Sequence, residues 1–147
     1  MDMILNVVMA AMLLLFAIQD LYKKKLLLWP MILGAFIVIV CSYFSDDLTL
    51  LNRFGGLAVG LVVIMISLLT SGKIGLGDGI LLSITGIGIG LWANLELFAI
   101  ALFLAAMVSI LLLIFRLANR KKSIPFVPFL FISYLFLMMV NVKNKMP

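Results

Sequence analysis

The sequence predicts an all-α integral membrane protein with about six transmembrane helices and its N-terminus outside. Its composition, its apolar segments and the placement of its basic residues carry this prediction. Of the 147 residues, 66% are hydrophobic and only 12% are charged, whereas soluble domains carry about 45–50% apolar and about 25% charged residues. A chain this short cannot bury such an excess of apolar side chains in a core of its own. A soluble monomer is therefore excluded, and we expect one membrane-embedded domain over residues 1–147.

Six apolar segments follow one another along the chain. They are Met3–Ile18, Leu26–Phe44, Phe54–Thr70, Ile80–Ala93, Leu97–Phe115 and Ile124–Val142. A spanning helix needs about 20 residues, with a range of about 17–25; four segments fit that range and the first is slightly short. The fourth is too short to span unless its glycine-rich entry loop enters the membrane. Irregular backbone at that depth must be surrounded by protein or water, so the entry loop is expected to line a site.

Lysine and arginine residues set the predicted orientation. Eight of them follow segments one, three and five, namely Lys23, Lys24, Lys25, Lys73, Arg116, Arg120, Lys121 and Lys122. The other side has only Arg53, Lys143 and Lys145. The positive-inside rule places the eight in the cytoplasm and both termini outside. The formal net charge of +5 therefore indicates topology and contact with membrane lipid, and no nucleic-acid partner is expected.

Several chemistries are excluded by residue type. The chain contains no histidine and a single cysteine, Cys41. Catalysis by Ser-His-Asp or Cys-His groups, histidine-ligated metal sites and disulfide frameworks therefore cannot operate. Two pairs of glycines at helical spacing, Gly56/Gly60 and Gly86/Gly90, favour close packing of helices.

Two acidic residues fall on the predicted cytoplasmic side, Asp20 at the end of segment one and Asp78 in the loop that opens segment four. They are expected at one membrane depth on two different helices. Two carboxylates that converge in a poorly solvated cleft cannot both ionise easily, so one holds a proton while the other stays ionised. Such a pair activates water and polarises a carbonyl group, as in aspartic proteases.

Each aspartate also has a structural interpretation. Asp20 could pair with Lys23 or Lys24, one helical turn away. Asp78 could be the N-cap of the fourth helix, a position where aspartate is favoured. The neighbouring Gly75 and Gly77 could mark an ordinary turn; they also lack side chains, so a substrate backbone could approach Asp78 closely.

The order of three motifs resembles the type IV prepilin peptidase family, whose members are intramembrane aspartyl proteases. The first is Asp20-Leu21 followed by the basic run Lys23–Lys25, the second is Gly75-Leu76-Gly77-Asp78, and the third is Ile124-Pro125-Phe126-Val127-Pro128-Phe129. The resemblance covers the whole chain and implies a catalytic dyad of Asp20 and Asp78. It also implies cleavage of the leader peptide of prepilin-like membrane precursors at the cytoplasmic face, with no metal or cofactor.

The sequence departs from the family pattern in three motif elements. Ile80 replaces a usual lysine, Leu27-Leu28 replaces Pro-Asn, and Val127 replaces a glycine. The cysteine-rich domain that longer members use for N-methylation is absent from the sequence, so the resemblance implies cleavage without methylation. Two other functions remain open at this stage: a small transporter whose acids bind a proton or cation, and an inactive homologue that assists pilus assembly.

Overall fold

The computed structural model describes residues 3–23, 27–45, 48–70, 75–115 and 124–145, and within these ranges the chain forms helices and no strands. The six helices are α1 (Met3–Lys23), α2 (Leu28–Tyr43), α3 (Leu50–Leu69), α4 (Leu76–Ile89), α5 (Leu91–Ile114) and α6 (Val127–Lys145). The predicted all-α class is confirmed.

Three helices are long and apolar enough to cross a membrane: α1, α3 and α5. The apolar stretches of α2, α4 and α6 are shorter. At about 1.5 Å per residue, α4 is roughly 21 Å long and α5 roughly 36 Å. The predicted shortness of the fourth segment is therefore a property of the folded chain, although most of its entry loop, residues 71–74, lies outside the described residues.

Several helix ends differ from the apolar segments, each for a local reason. Helix α1 continues to Lys23, so Asp20 lies in its last turns and does not close it. Helix α4 ends at Ile89, before Ala93, because Gly90 adopts a positive φ of 83° that ordinary residues rarely adopt. Gly90 therefore separates α4 from α5, and it also lies close to α3, since a Cβ on Gly90 would be 2.9 Å from Asn52 Nδ2.

Helix α4 occupies the middle of the bundle. Its most extensive packing is against α3, and it also contacts α2, α5 and α1, while α6 packs against α1 and α5. A Cβ on Gly56 or Gly86 would collide with the backbone of the other glycine, and a Cβ on Gly60 would collide with the backbone of Ser83. The predicted close approach of helices through Gly56, Gly60 and Gly86 is therefore confirmed for the pair α3–α4.

One end of the bundle, where α4 turns into α5 at Gly90, is fastened by buried polar side chains; we call it the Gly90 end. Asn94 of α5 donates to the carbonyl oxygens of Gly56 (3.1 Å) and Leu82 (3.0 Å) and accepts a 2.8 Å hydrogen bond from Thr85 Oγ1. Asn94 and Thr85 are both fully buried. One amide therefore joins α3, α4 and α5.

Arg53, which the sequence analysis counted among the few basic residues of the outer side, also belongs to the Gly90 end. It is buried in the first turns of α3 and donates to the carbonyl oxygens of Ile87 (3.2 Å) and Ser45 (2.7 Å). Ile87 lies in the last turn of α4, where carbonyl groups lack helical partners and carry partial negative charge. The guanidinium group thus caps α4.

Candidate functional site

Asp20 lies at the opposite end of the bundle, which we call the aspartate end. Its side chain is buried, and its Oδ2 accepts a 3.1 Å hydrogen bond from the backbone N–H of Val127. Val127 is the first residue of α6 and is completely buried. The third motif of the sequence therefore contacts the first motif through a backbone group.

The sequence around Val127 explains why this N–H is available. The first N–H groups of any helix have no partner inside the helix. In α6, Pro128 has no N–H, and the amides of Phe129 and Leu130 both bond to the carbonyl of Phe126. The N–H of Val127 is the donor left over at this helix start, and Asp20 accepts from it.

Asp78 is the third residue of α4, after the N-cap Gly75. Its backbone N–H donates to the carbonyl of Gly75 at 3.1 Å. A Cβ built on Gly75 would lie 2.7 Å from Asp78 Oδ2, so the carboxylate folds back over this glycine. The absence of a side chain at Gly75 thus makes room for Asp78 itself, while Gly77 lies half-buried in the same turn.

Helix geometry places the two aspartates at one depth. A Cβ on Gly88 of α4 would lie 3.1 Å from the sulfur of Met9 in α1, so these two residues share a level. From Met9 to Asp20 along α1, and from Gly88 back to Asp78 along α4, the rise is about 15–17 Å at about 1.5 Å per residue. Both aspartates therefore lie the same distance from the Gly90 end.

The two carboxyl groups also interact electrostatically. Burial, and to a smaller extent the negative charge of Asp20, raise the pKa of Asp78 from its ordinary value of 3.8 to about 7. Asp78 precedes the apolar segment of α4 that begins at Ile80. The carboxyl group of Asp78 is therefore only partly ionised near neutral pH, and it interacts with the charge of a second, buried carboxyl group. Acid–base chemistry by paired carboxylates depends on such an interaction.

The structure also bears on the two structural interpretations, in which Asp78 is an N-cap and Asp20 forms an ion pair with a lysine. Gly75, and not Asp78, is the N-cap of α4, so that interpretation is wrong. Among the described residues Asp20 accepts from Val127 and forms no ion pair with Lys23; Lys24 lies outside the described residues. The partner of Asp20 is thus a helix start that lies 107 residues further along the chain.

Gln19 adds a second polar group beside Asp20. Within the part of the chain that the structure describes, its Nε2 is the one buried side-chain nitrogen or oxygen atom that has no hydrogen-bond partner. The nearby residues Met12 and Phe16 of the same helix contact Gly34 of α2. Gln19 lies two turns after Met12 and one turn after Phe16, so it belongs to the face of α1 that is turned towards α2.

The described residues contain no group of three or more histidine, cysteine, aspartate or glutamate side chains that could hold a metal ion. The polar groups described at the aspartate end include the two carboxyl groups, the Val127 N–H and the Gln19 amide.

Comparison of the chain with protein-family models, with curated proteins and with solved structures finds no match. The resemblance to prepilin peptidases therefore stays a prediction that rests on the sequence motifs.

Sequence reasoning found Asp20 and Asp78 but missed Val127 and Gln19. Val127 acts through its backbone, so its side chain carries no signal. The proline two residues before it and the proline directly after it could have revealed a helix start with one free N–H. Gln19 has no comparable signal, because a glutamine beside an aspartate is common and only the fold shows that its amide is buried.

Proposed function

We propose that this chain is an aspartic endopeptidase of the prepilin-peptidase type, in which Asp20 and Asp78 form the catalytic dyad. The observation that carries the proposal is the electrostatic interaction between two carboxyl groups from separate helices, one of which has its pKa raised to about 7. The ionised member takes a proton from water as the water attacks the scissile carbonyl, and the protonated member donates to the carbonyl oxygen.

The substrate is a membrane precursor with a short basic leader ahead of an apolar helix. In this proposal the chain is a multi-pass protein of the cell membrane with both termini outside, and the aspartate end faces the cytoplasm. The positive-inside distribution supports that orientation, since the basic runs at 23–25 and 120–122 flank the helix ends nearest the two aspartates. A leader with basic residues would meet the acidic dyad at this end.

The test is mass spectrometry of a co-expressed pilin-like precursor with wild type, Asp20→Asn, Asp78→Asn and Glu96→Gln. Glu96 is an exposed acid of α5, close to the Gly90 end, and serves as the matched control. We expect leader removal by wild type and by Glu96→Gln, and a loss of about 1,000-fold or more in both aspartate variants.

Asparagine at position 20 still offers an oxygen to the Val127 N–H, so the Asp20 variant keeps its contact with α6. Retention of the leader with all four proteins, each shown to be folded in membranes and tested on several precursors, would contradict the protease function. Ion flux that depends on Asp78 would then favour the transport alternative, in which the two acids bind a proton or cation.

A further inference from the structure

We propose that the backbone N–H of Val127 is a positioning group of the dyad: it fixes the Asp20 carboxylate so that Oδ1 is the oxygen that faces the water. The inference rests on the proposed function and adds to it a role for the start of α6. Its basis is the 3.1 Å hydrogen bond from the Val127 N–H to Asp20 Oδ2.

The geometry of the bond decides which oxygen is free. A donor N–H on Oδ2 uses a lone pair of that oxygen and, because the hydrogen prefers to lie near the carboxylate plane, restricts rotation of the group. The group is buried, so solvent does not compete for the same oxygen. Oδ1 is then the oxygen that remains for a water molecule and for Asp78.

The start of α6 is itself held rigidly, as a positioning group requires. The side chain of Val127 is fully buried, and the ring of Phe126 packs edge-to-face on Phe98 of α5 with centroids 6.3 Å apart. Further along α6, Tyr134 donates to Asn6 Oδ1 of α1 at 3.1 Å. The N–H is therefore anchored to α1 and to α5, and it cannot follow Asp20 if that side chain rotates.

Val127→Pro removes this donor, and its ring also favours extended backbone at the preceding Phe126. Proline is well accepted at the first position of a helix, where its missing N–H has no helical partner. Val127→Ala is the matched control, because it also shortens the buried side chain but keeps the N–H. We expect kcat of Val127→Pro to fall about 10-fold or more below that of Val127→Ala, with KM within about two-fold, since a misplaced catalytic group slows the chemical step.

A purely structural role would give a different result. If the bond only caps α6, Val127→Pro loses thermal stability but keeps the kcat of Val127→Ala per folded molecule, and the positioning role is overturned. Equal leader cleavage by the two variants is that outcome.

A second measurement is independent of cleavage. In an NMR spectrum of protein labelled with ¹⁵N-valine, the amide signal of Val127 is identified as the one that is missing from Val127→Ala. The chemical shift of its amide proton reports the hydrogen bond to Asp20. We expect a clear upfield shift in Asp20→Ala and a smaller one in Asp20→Asn. An unchanged shift overturns the contact, even if the wild type cleaves its precursor. If the shift moves but no precursor is cleaved by wild type, the contact stands and the proposed function fails.

Discussion

Helices α5 and α6 begin in the same way at opposite ends of the bundle. The N–H of Leu91, the first residue of α5, donates to Asn52 Oδ1 of α3 at 2.9 Å, and the N–H of Val127 donates to Asp20 Oδ2 of α1. Asparagine and aspartate cap helices about equally well, so a neutral amide is sufficient for this task. Capping alone would therefore not require a carboxylate at position 20. What the carboxylate adds to an amide is a negative charge that interacts with Asp78.

Several other polar groups differ between the two ends in a similar way. At the Gly90 end, Asn94, Thr85 and Arg53 are buried and hydrogen-bonded. At the aspartate end, Asp78 has a raised pKa and Gln19 has an amide nitrogen without a partner among the described residues. Satisfied networks stabilise one fold, whereas perturbed or unpaired groups cluster at functional sites. Substitutions at the two ends should therefore change stability in opposite directions.

The largest stability effect is expected at Asp78 and depends on pH. Between pH 3.8 and about 7, the folded chain binds more protons than the unfolded chain, because the pKa of Asp78 is higher when folded. The free energy of unfolding therefore falls as pH rises through this window and stays level above it. Asp78→Asn lacks the titration, so above pH 7 it should exceed wild type by up to about 4 kcal/mol.

Thermal unfolding in detergent between about pH 3 and about pH 8 measures this difference. The two proteins should have similar melting temperatures at the acidic limit, where Asp78 is protonated in both states, and should diverge as pH rises. Parallel curves of melting temperature against pH for wild type and Asp78→Asn would show that Asp78 titrates at its ordinary pKa. The strongest evidence for a difference between the two ends would then be removed.

A smaller effect of opposite sign is expected at the Gly90 end. Asn94→Leu keeps the volume of the side chain but removes its three hydrogen bonds to Gly56, Leu82 and Thr85. At about 1 kcal/mol for each bond, the free energy of unfolding should fall by about 3 kcal/mol at every pH. Thr85→Val removes one of these bonds and is expected to cost about 1 kcal/mol, which gives the series an internal scale. A neutral result for Asn94→Leu would mean that α3, α4 and α5 are held by glycine packing alone.

The features of the two ends could be predicted from the sequence to different extents. The all-α class and the packing of Gly56, Gly60 and Gly86 could be predicted, since apolar length and small-residue spacing act locally along the chain. The pair of aspartates could also be named, because charge in an apolar chain is conspicuous. The hydrogen bonds of Asn94, Arg53 and Val127 could not, since each joins residues whose proximity only the tertiary fold determines. Helix ends at Lys23 and Gly90 were missed because backbone preference, and not hydrophobicity, decides where a helix stops.

The smallest expected effects give the most direct comparison of the two ends, because one side-chain amide is replaced at each end. Gln19→Met replaces a buried amide, whose nitrogen lacks a partner among the described residues, with an apolar side chain of similar length. Asn52→Leu replaces an amide whose oxygen accepts from Leu91. An unpaired buried polar group costs about 1–3 kcal/mol, and a satisfied hydrogen bond contributes about 1 kcal/mol. Gln19→Met should therefore raise the free energy of unfolding by about 1 kcal/mol, and Asn52→Leu should lower it by a similar amount.

Chemical denaturation of the two variants beside wild type decides the sign. A loss of stability in Gln19→Met would mean that its amide already has a partner in the folded protein, and the aspartate end would then resemble the Gly90 end in this respect. A gain in stability together with slower leader cleavage would be the combination expected of a polar group that is kept for a substrate. The unpaired amide would then bind a carbonyl of the substrate, at the cost of stability in the empty protein.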